Sequence, residues 1–304
     1  MQVGRMFQTN ATAAVSLGCL ISAAAQAPVP AAPMAPMFDA ARVSFNHAAG
    51  MDFDNESGGL DASSFELRSL LSKPIPVFQD LIVLPIFEYE ATHLNFSDTA
   101  AGFPMKDELL HSVNLSAFAL SMSSSTPWVY GGWARAEMAT DFQHVGSDDF
   151  TFDVVGGVGY RFSNRFTLAV GAAVINLNGD AAVYPGLSFD WRVSNTLRVG
   201  LYGPSFVAAY TPDADWELSF RGENGGGTWN ITDIGGRSKS IDLTSFRVGL
   251  FASRRLTGDL WLTAGGGATV ANEISLTDPN GSNDDNTEME SGVFGQLGLS
   301  LNVW

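Results

Sequence analysis

From Phe150 to Val199 the chain reads as three consecutive two-sided β-strands, and no other feature constrains its fold as tightly. Phe150, Phe152, Val154, Gly156, Val158, Tyr160 and Phe162 share one face, against Thr151, Asp153, Val155, Gly157, Gly159 and Arg161 on the other. A period of two sustained over that length is a strand. After the turn Ser163-Asn164-Arg165, a second strand sets Phe166, Leu168, Val170, Ala172 and Val174 against Thr167, Ala169, Gly171 and Ala173. A third sets Pro185, Leu187, Phe189, Trp191 and Val193 against Tyr184, Gly186, Ser188, Asp190 and Arg192. Alternation by itself also fits a soluble sandwich. The second face here is small and charged and the strand ends are aromatic, which matches membrane-spanning barrel strands, apolar outside and polar inside, with aromatic girdles. Phe150, Phe152, Val158, Leu168, Val170, Phe189 and Trp191 are therefore expected to face lipid.

The N-terminus agrees with that compartment. Arg5 precedes an uncharged, Ala-rich stretch that ends in Ala23-Ala24-Ala25, a small-x-small cleavage pattern, so residues 1–25 read as a secretory signal peptide. Residues 26–38 begin QAPVPAAPMAPM, a Pro/Ala-rich linker expected in the periplasm, and 39–304 form the barrel. No later segment offers the roughly 20 uninterrupted apolar residues of a membrane helix. A membrane could then be crossed only by a closed barrel, since an open sheet would strand backbone groups in hydrocarbon. Cys19 is the single cysteine and lies inside the signal, so disulfides and cysteine-ligated metals are not expected in the mature chain. Ser16-Leu17-Gly18-Cys19 lacks the large aliphatic residue of a lipoprotein box, so lipidation is not expected. A net charge of −16, with lysine only at Lys73, Lys106 and Lys239, argues against nucleic acid as a partner.

Alternation divides the rest into strands at 41–48, 64–72, 80–96, 109–122, 128–143, 150–162, 166–177, 182–193, 197–203, 205–211, 216–233, 241–255, 259–276 and 290–304. This predicts an all-β fold, a single antiparallel transmembrane β-barrel of about 14 strands, and an even count places both termini in the periplasm. The connections check that parity. Ser123–Pro127, Ser163–Arg165, Ser194–Thr196, Thr211–Asp215 and Leu256–Gly258 are short and all join an even strand to an odd one, as periplasmic turns do. Longer polar or acidic connections alternate with them at Ala49–Ser63, Ser97–Glu108, His144–Asp149, Asn178–Ala181, Ile234–Ser240 and Thr277–Met289. The tight reversal Tyr202-Gly203-Pro204-Ser205 falls on the side of the long loops, which leaves an alternative of 12 full spans plus a short hairpin.

A weak internal repeat follows the hairpins. Tyr160-Arg161-Phe162-Ser163-Asn164-Arg165-Phe166 recurs as Trp191-Arg192-Val193-Ser194-Asn195-Thr196-Leu197 and loosely around Tyr210–Leu218 and Arg255–Leu260, each time with large apolar or aromatic residues on both sides of a polar turn. Together with Pro185-Gly186-Leu187-Ser188-Phe189-Asp190-Trp191-Arg192-Val193-Ser194, Gly203-Pro204-Ser205 and Tyr210-Thr211-Pro212-Asp213, these segments resemble an uncharacterised family of bacterial outer-membrane β-barrel proteins catalogued as a domain of unknown function. The resemblance runs from about Phe150 to the C-terminus. It implies the fold and the bacterial outer membrane, and it brings no catalytic or binding residues. Outer-membrane strands end on an aromatic residue in phase with the lipid-facing set, the signal for the barrel-assembly machinery. Here Leu297, Leu299, Leu301 and Val303 are out of phase with Trp304, so that signal is only partly matched.

Candidate chemistry is sparse. His47, His93, His111 and His144 have no metal-pair spacing. A lipid-hydrolysing barrel would need a Ser and a His on adjacent strands at the lipid face; His93 and His111 could meet near a loop base, but no nucleophile is singled out, and two interfacial histidines are the expected reading. Thr277–Glu288 is rich in oxygen ligands, yet Ser282 and Asn283 break the EF-hand order, so a disordered acidic outer loop is expected. The inward faces carry more: strand parity points Glu88, Glu90, Arg135, Glu137, Asp141, Asp153, Arg161, Asp190, Arg192, Glu217, Arg221, Arg247 and Arg255 into the lumen, where ionisable groups must pair or meet water. A charged pore selecting solutes and a salt-bridge network plugging a closed barrel both follow from these mixed signs. Small residues at Gly157, Gly159, Ala169, Gly171 and Ala173 tilt the expectation to an open or partly open lumen. The expected function is non-enzymatic, a passive channel or binding barrel for small solutes or lipid-derived molecules, with outer-membrane lipid as its surroundings and no cofactor or metal. A plugged structural barrel and an outer-membrane lipid hydrolase are the alternatives. The mature protein should therefore begin at Gln26, fractionate with the outer membrane and run anomalously on unheated detergent gels; its recovery as a soluble, detergent-free monomer would contradict the assignment.

Overall fold

The computed structural model describes residues 39–54, 57–78, 80–97, 107–121, 125–143, 145–177, 180–232, 238–277 and 284–302. The expected signal peptide, the linker and Trp304 lie outside them. The strands are β1 (Ala41–Asp52), β2 (Gly59–Leu70), β3 (Ile75–Phe78), β4 (Leu81–Ser97), β5 (Asp107–Ser121), β6 (Trp128–Thr140), β7 (Phe150–Ser163), β8 (Phe166–Leu177), β9 (Asp180–Arg192), β10 (Leu197–Tyr202), β11 (Ser205–Tyr210), β12 (Trp216–Asn224), β13 (Gly227–Thr232), β14 (Ser238–Thr257), β15 (Leu260–Thr277), β16 (Asp284–Met289) and β17 (Gly292–Leu301). Three are extensions: β3 pairs with the start of β4, β13 continues β12 along β14, and β16 pairs with the top of β15. The other strands form a closed 14-strand antiparallel barrel. The seam is β1 against β17, from Ala41 opposite Leu301 to Ala49 opposite Val293. Residues 39 and 302 therefore lie at one end of the barrel, the terminal end; the long connections lie at the other, the loop end.

The alternation explains the wall. Along β7, Asp153, Val155 and Gly159 are buried inside while Phe152, Val154 and Val158 are exposed outside. β10 and β11, six residues each, are integral to the ring: Arg198 to Tyr202 pair with β9, and Phe206 to Tyr210 pair with β12. The short hairpin of the alternative is present, with strands of six residues, and it is built into the ring of 14. Two connections are shorter than expected. β1 and β2 stay paired up to Asp52 opposite Gly59, and Asp284–Met289, expected as disordered loop, pairs residue by residue with Asn272–Thr277. The remainder of that segment, 278–283, falls outside the described residues.

The low wall at β10 and β11 sets up the main departure from a simple barrel. β14 is 20 residues long, so the hairpin it makes with β12 and β13 rises past the short neighbours. At Gly225-Gly226 the rising strand breaks. A Cβ at Gly226 would collide with the Leu243 carbonyl, so only glycine fits there. Beyond the break β13 crosses to the far wall, where Asn230 bridges Thr140 of β6. Trp229 Nε1 donates to Ser112 Oγ of β5 at 3.0 Å, and the Thr232 N–H donates to Asp141 Oδ2 at 2.8 Å. Trp229, Ile231, Ile241 and Leu243 pack there with Met51, Leu60, Leu94, Leu110, Ile274 and Phe294 into one buried apolar cluster under the loop end. The adjoining strand β15 accommodates the bend at a bulge where Ala271 adopts φ 52° and Asn272 bonds Ser245, Thr269 and Glu290.

Trp229→Ala removes the largest anchor of this cover, a loss of about 3–5 kcal/mol for a buried tryptophan. It is expected to expose the segment 225–243 to protease while the heat-modifiable barrel band persists, as gel mobility after limited proteolysis would read.

Candidate functional site in the barrel interior

Parts of the inner wall are crowded. Gly159, one of the small inward residues expected to leave an open lumen, makes room for neighbours: a Cβ there would lie 2.8 Å from Ala169 Cβ and 2.9 Å from Val129 Cγ2. Gly200 lies beneath the Tyr202 ring and Gly265 beneath Phe251. On the β4 to β8 wall, Ile86, Phe118, Leu120, Trp133, Val155 and Ile175 form a second buried apolar cluster. A glycine on an inner wall therefore marks a place where an aromatic ring or a neighbouring strand comes close.

The inward charges form separate paired groups within this packing. Arg135 reaches Asp153 from β6, with Nε and Nη2 at 3.0 and 2.5 Å from Oδ2, and its Nη2 also lies 3.0 Å from Glu137 Oε2. Its guanidinium sits 5.3 Å from the centroid of the Trp133 ring. Asp190 on β9 is buried, and its partner is Arg198 on β10, held bidentately at 3.0 and 2.6 Å. Arg198 also donates to Tyr202 Oη at 3.0 Å. Arg221 donates to Ser219 Oγ at 2.8 Å, lies 3.4 Å from the buried Glu217 and stacks 4.8 Å from the Phe251 centroid. Arg247 Nη2 donates to the Gly225 carbonyl at 3.0 Å, directly at the break in the covering hairpin. Arg68 pairs with Glu88 at 3.0 Å.

Arg135, Glu137 and Asp153 are thus brought together, as are Glu217 and Arg221. Asp190 and Arg192 are not: Arg192 and Arg161 are partly exposed near the terminal end, and the guanidinium that meets Asp190 belongs to Arg198, a residue outside the lumen set expected from strand parity. The signal was present, since Arg198, Gly200 and Tyr202 share one face of β10. On the outer surface Phe150, Phe152, Val158, Val170 and Trp191 are exposed, and Leu168 and Phe189 face each other across β8 and β9. Trp128, Tyr160, Phe162 and Phe166 make a continuous aromatic run at the terminal end, with successive centroids 5.0, 5.0 and 5.7 Å apart. His111 bonds Tyr89 at 2.9 Å and stacks on Phe142 at 4.7 Å; His144 lies outside the described residues. Among the described residues no cluster of three or more His, Asp or Glu could hold a metal.

A cavity of ≈270 Å³ lies toward the terminal end. It is set between the β1 and β17 seam, with Asp39, Arg42, Gln296 and Ser300, and the low wall, with Arg198, Tyr202, Phe206, Glu217 and Arg221; Trp261 and Thr263 contribute from β15. Three arginines face three carboxylates once Glu223 is counted, so its lining is neutral in sum and strongly polarised. It falls just under the ~300–1,000 Å³ of ordinary ligand pockets.

A family model described as Domain of unknown function (DUF6268) matches residues 86–302. No curated protein matches the sequence. Among solved structures, the COG4313 outer membrane channel from Pseudomonas putida F1 is 11% identical with a TM-score of 0.47, covering 91% of this chain and 99% of its own. A FadL homologue from Pseudomonas aeruginosa is 10% identical at 0.36, covering 97% of each chain. Outer membrane phospholipase A from Escherichia coli, as an active-site mutant, is 10% identical at 0.37, covering 94% of this chain and 98% of its own.

Removing one partner of a buried pair strands the other charge, which costs about 3–5 kcal/mol. Asp153→Asn and Asp190→Asn are expected to lower barrel stability by that amount. Arg192→Gln, outside the pairing, should stay within roughly 0.5 kcal/mol. Denaturant titrations followed by gel mobility check the contrast.

Proposed function

For this chain, which belongs to the DUF6268 family, we propose the role of an outer-membrane barrel that binds small solutes in its lumen and conducts only when its covering hairpin moves. The observation that carries this reading is the hairpin itself. A ring of 14 strands is wider than the roughly eight whose wall side chains fill the interior unaided, so its mouth is closed by a separate unit and not by the wall. Here the cover is a distinct two-stranded unit, broken from its own strand at Gly225-Gly226 and attached to the far wall chiefly by Trp229, Asn230 and Thr232. Beneath it lie polar inner residues and the arginine-lined cavity, a polarised site suited to a small polar or zwitterionic solute. Arg247, bonded to the Gly225 carbonyl, links the charges of the interior to the pivot.

A plugged structural barrel is the competing reading, favoured by the full pairing of Arg135 with Glu137 and Asp153. Single-channel recording in planar bilayers separates the two. The wild type should be mostly silent with brief openings, and Trp229→Ala combined with Asp141→Ala should raise the open fraction by about a hundredfold or more, since losing the tryptophan anchor alone takes about 3–5 kcal/mol from the closed state and each ~1.4 kcal/mol is tenfold. If this double variant folds, shown by its heat-modifiable band, and still never conducts, the barrel is a plug.

A further inference from the structure

On the outer surface, at the loop end of the β1, β2 and β4 wall, one serine stands between two histidines. His47 on β1 is directly opposite Ser63 on β2, and Ser63 is directly opposite His93 on β4. Ser63 Oγ lies 2.9 Å from His47 Nδ1, and His93 Nε2 meets Asp107 Oδ1 of β5. His47 is exposed, and the His93 and Asp107 side chains are 45% and 66% exposed, so the row is open to the surroundings. We infer that Ser63, His47 and His93 form a surface hydrolytic site that cleaves acyl esters of membrane lipids.

The position selects the substrate. Two residues below the His47 and Ser63 pair stand Phe45 and Phe65, paired across the same two strands and 51% and 42% exposed. Leu297 and Leu299 of β17 flank this lane at 54% and 44% exposure. A lipid acyl chain lying on that apolar strip places its ester group at the level where the outer face turns polar, beside the serine. Beside it, β1 carries a bulge at Ala49 and Gly50, pinned by the Gly50 N–H to Asp61 Oδ1 at 3.0 Å; bulges of this kind re-aim side chains beside active sites.

The chemistry closes with water as the only co-reactant. With Nε2 of His47 protonated, the Ser63 hydroxyl donates to Nδ1; as Oγ bonds to the ester carbonyl carbon, that proton passes to Nδ1. His93 in its imidazolium form, with Nε2–H held by Asp107, donates from Nδ1–H to the oxygen on which negative charge develops. The carbonyl–alcohol bond then breaks, and the departing alcohol takes the proton from His47. A water, deprotonated by His47, cleaves the acyl-serine, and the returning proton restores Ser63. The sum is ester plus water to carboxylic acid plus alcohol. This site is separate from the lumen and stands or falls independently of conduction.

The test uses the full mature chain refolded in detergent micelles, with a short-chain phosphatidylcholine as substrate and a fluorophosphonate as active-site label. The wild type should label and hydrolyse; Ser63→Ala should do neither. His47→Asn should slow hydrolysis by about 10²–10⁴-fold, and His93→Ala by about 10²–10³-fold. All three residues are on the outer surface, so each variant should keep the heat-modifiable band. Labelling and hydrolysis by the folded wild type no greater than those of folded Ser63→Ala would overturn the assignment.

Discussion

The seam where β1 meets β17 is the interaction on which the rest depends. It leaves the ring of strands without an edge, and a sheet in hydrocarbon must have none. A closed ring, however, need not have a level rim. β10 and β11 are six residues each, whereas β14 and β15 are 20 and 18. The surplus length of the tall hairpin has no neighbour on its low side. Its inward residues, Trp229, Ile231, Ile241 and Leu243, could stand in water only by giving up their hydrophobic burial, so the hairpin bends over the mouth and buries them against the far wall. The uneven rim and the cover are one consequence of unequal strand lengths.

Beneath the cover, the interior resolves the problem of charge at membrane depth by pairing. Arg135 bridges two carboxylates and lies over Trp133; Arg198 holds Asp190 bidentately and Tyr202 besides. Bidentate arginine pairs are directional as well as strong. They therefore also lock the register between β6 and β7 and between β9 and β10. The cavity persists where the pattern changes, beside the low wall, because six-residue strands present too few inward side chains to fill the space they enclose.

The outer surface is organised by two borders. At the terminal end the aromatic run from Trp128 to Phe166 marks one boundary of the apolar band. At the loop end, above Phe45 and Phe65, polar side chains replace apolar ones in a row across β1, β2 and β4, where His47, Ser63 and His93 stand in register. An ester-bearing lipid has its own polar boundary at the same depth, and the proposed activity of this row rests on that match.

Strand number, parity and face were legible in the residues, because a period of two is a local property: Phe152, Val158 and Val170 declare their side through their immediate neighbours alone. The pairing of charges was not. Parity assigns a face but not a register, so it put Arg192 beside Asp190 on one strand, while the partner is Arg198, delivered by the register of β9 against β10. The same limit applies to the small residues. Gly159 read as empty volume in one dimension, yet the volume is taken by Ala169 and Val129, whose approach depends on strand tilt and packing. The covering hairpin and the meeting of His47, Ser63 and His93 join residues far apart in the chain, and only the closed three-dimensional sheet decides which distant side chains come within a hydrogen bond's length.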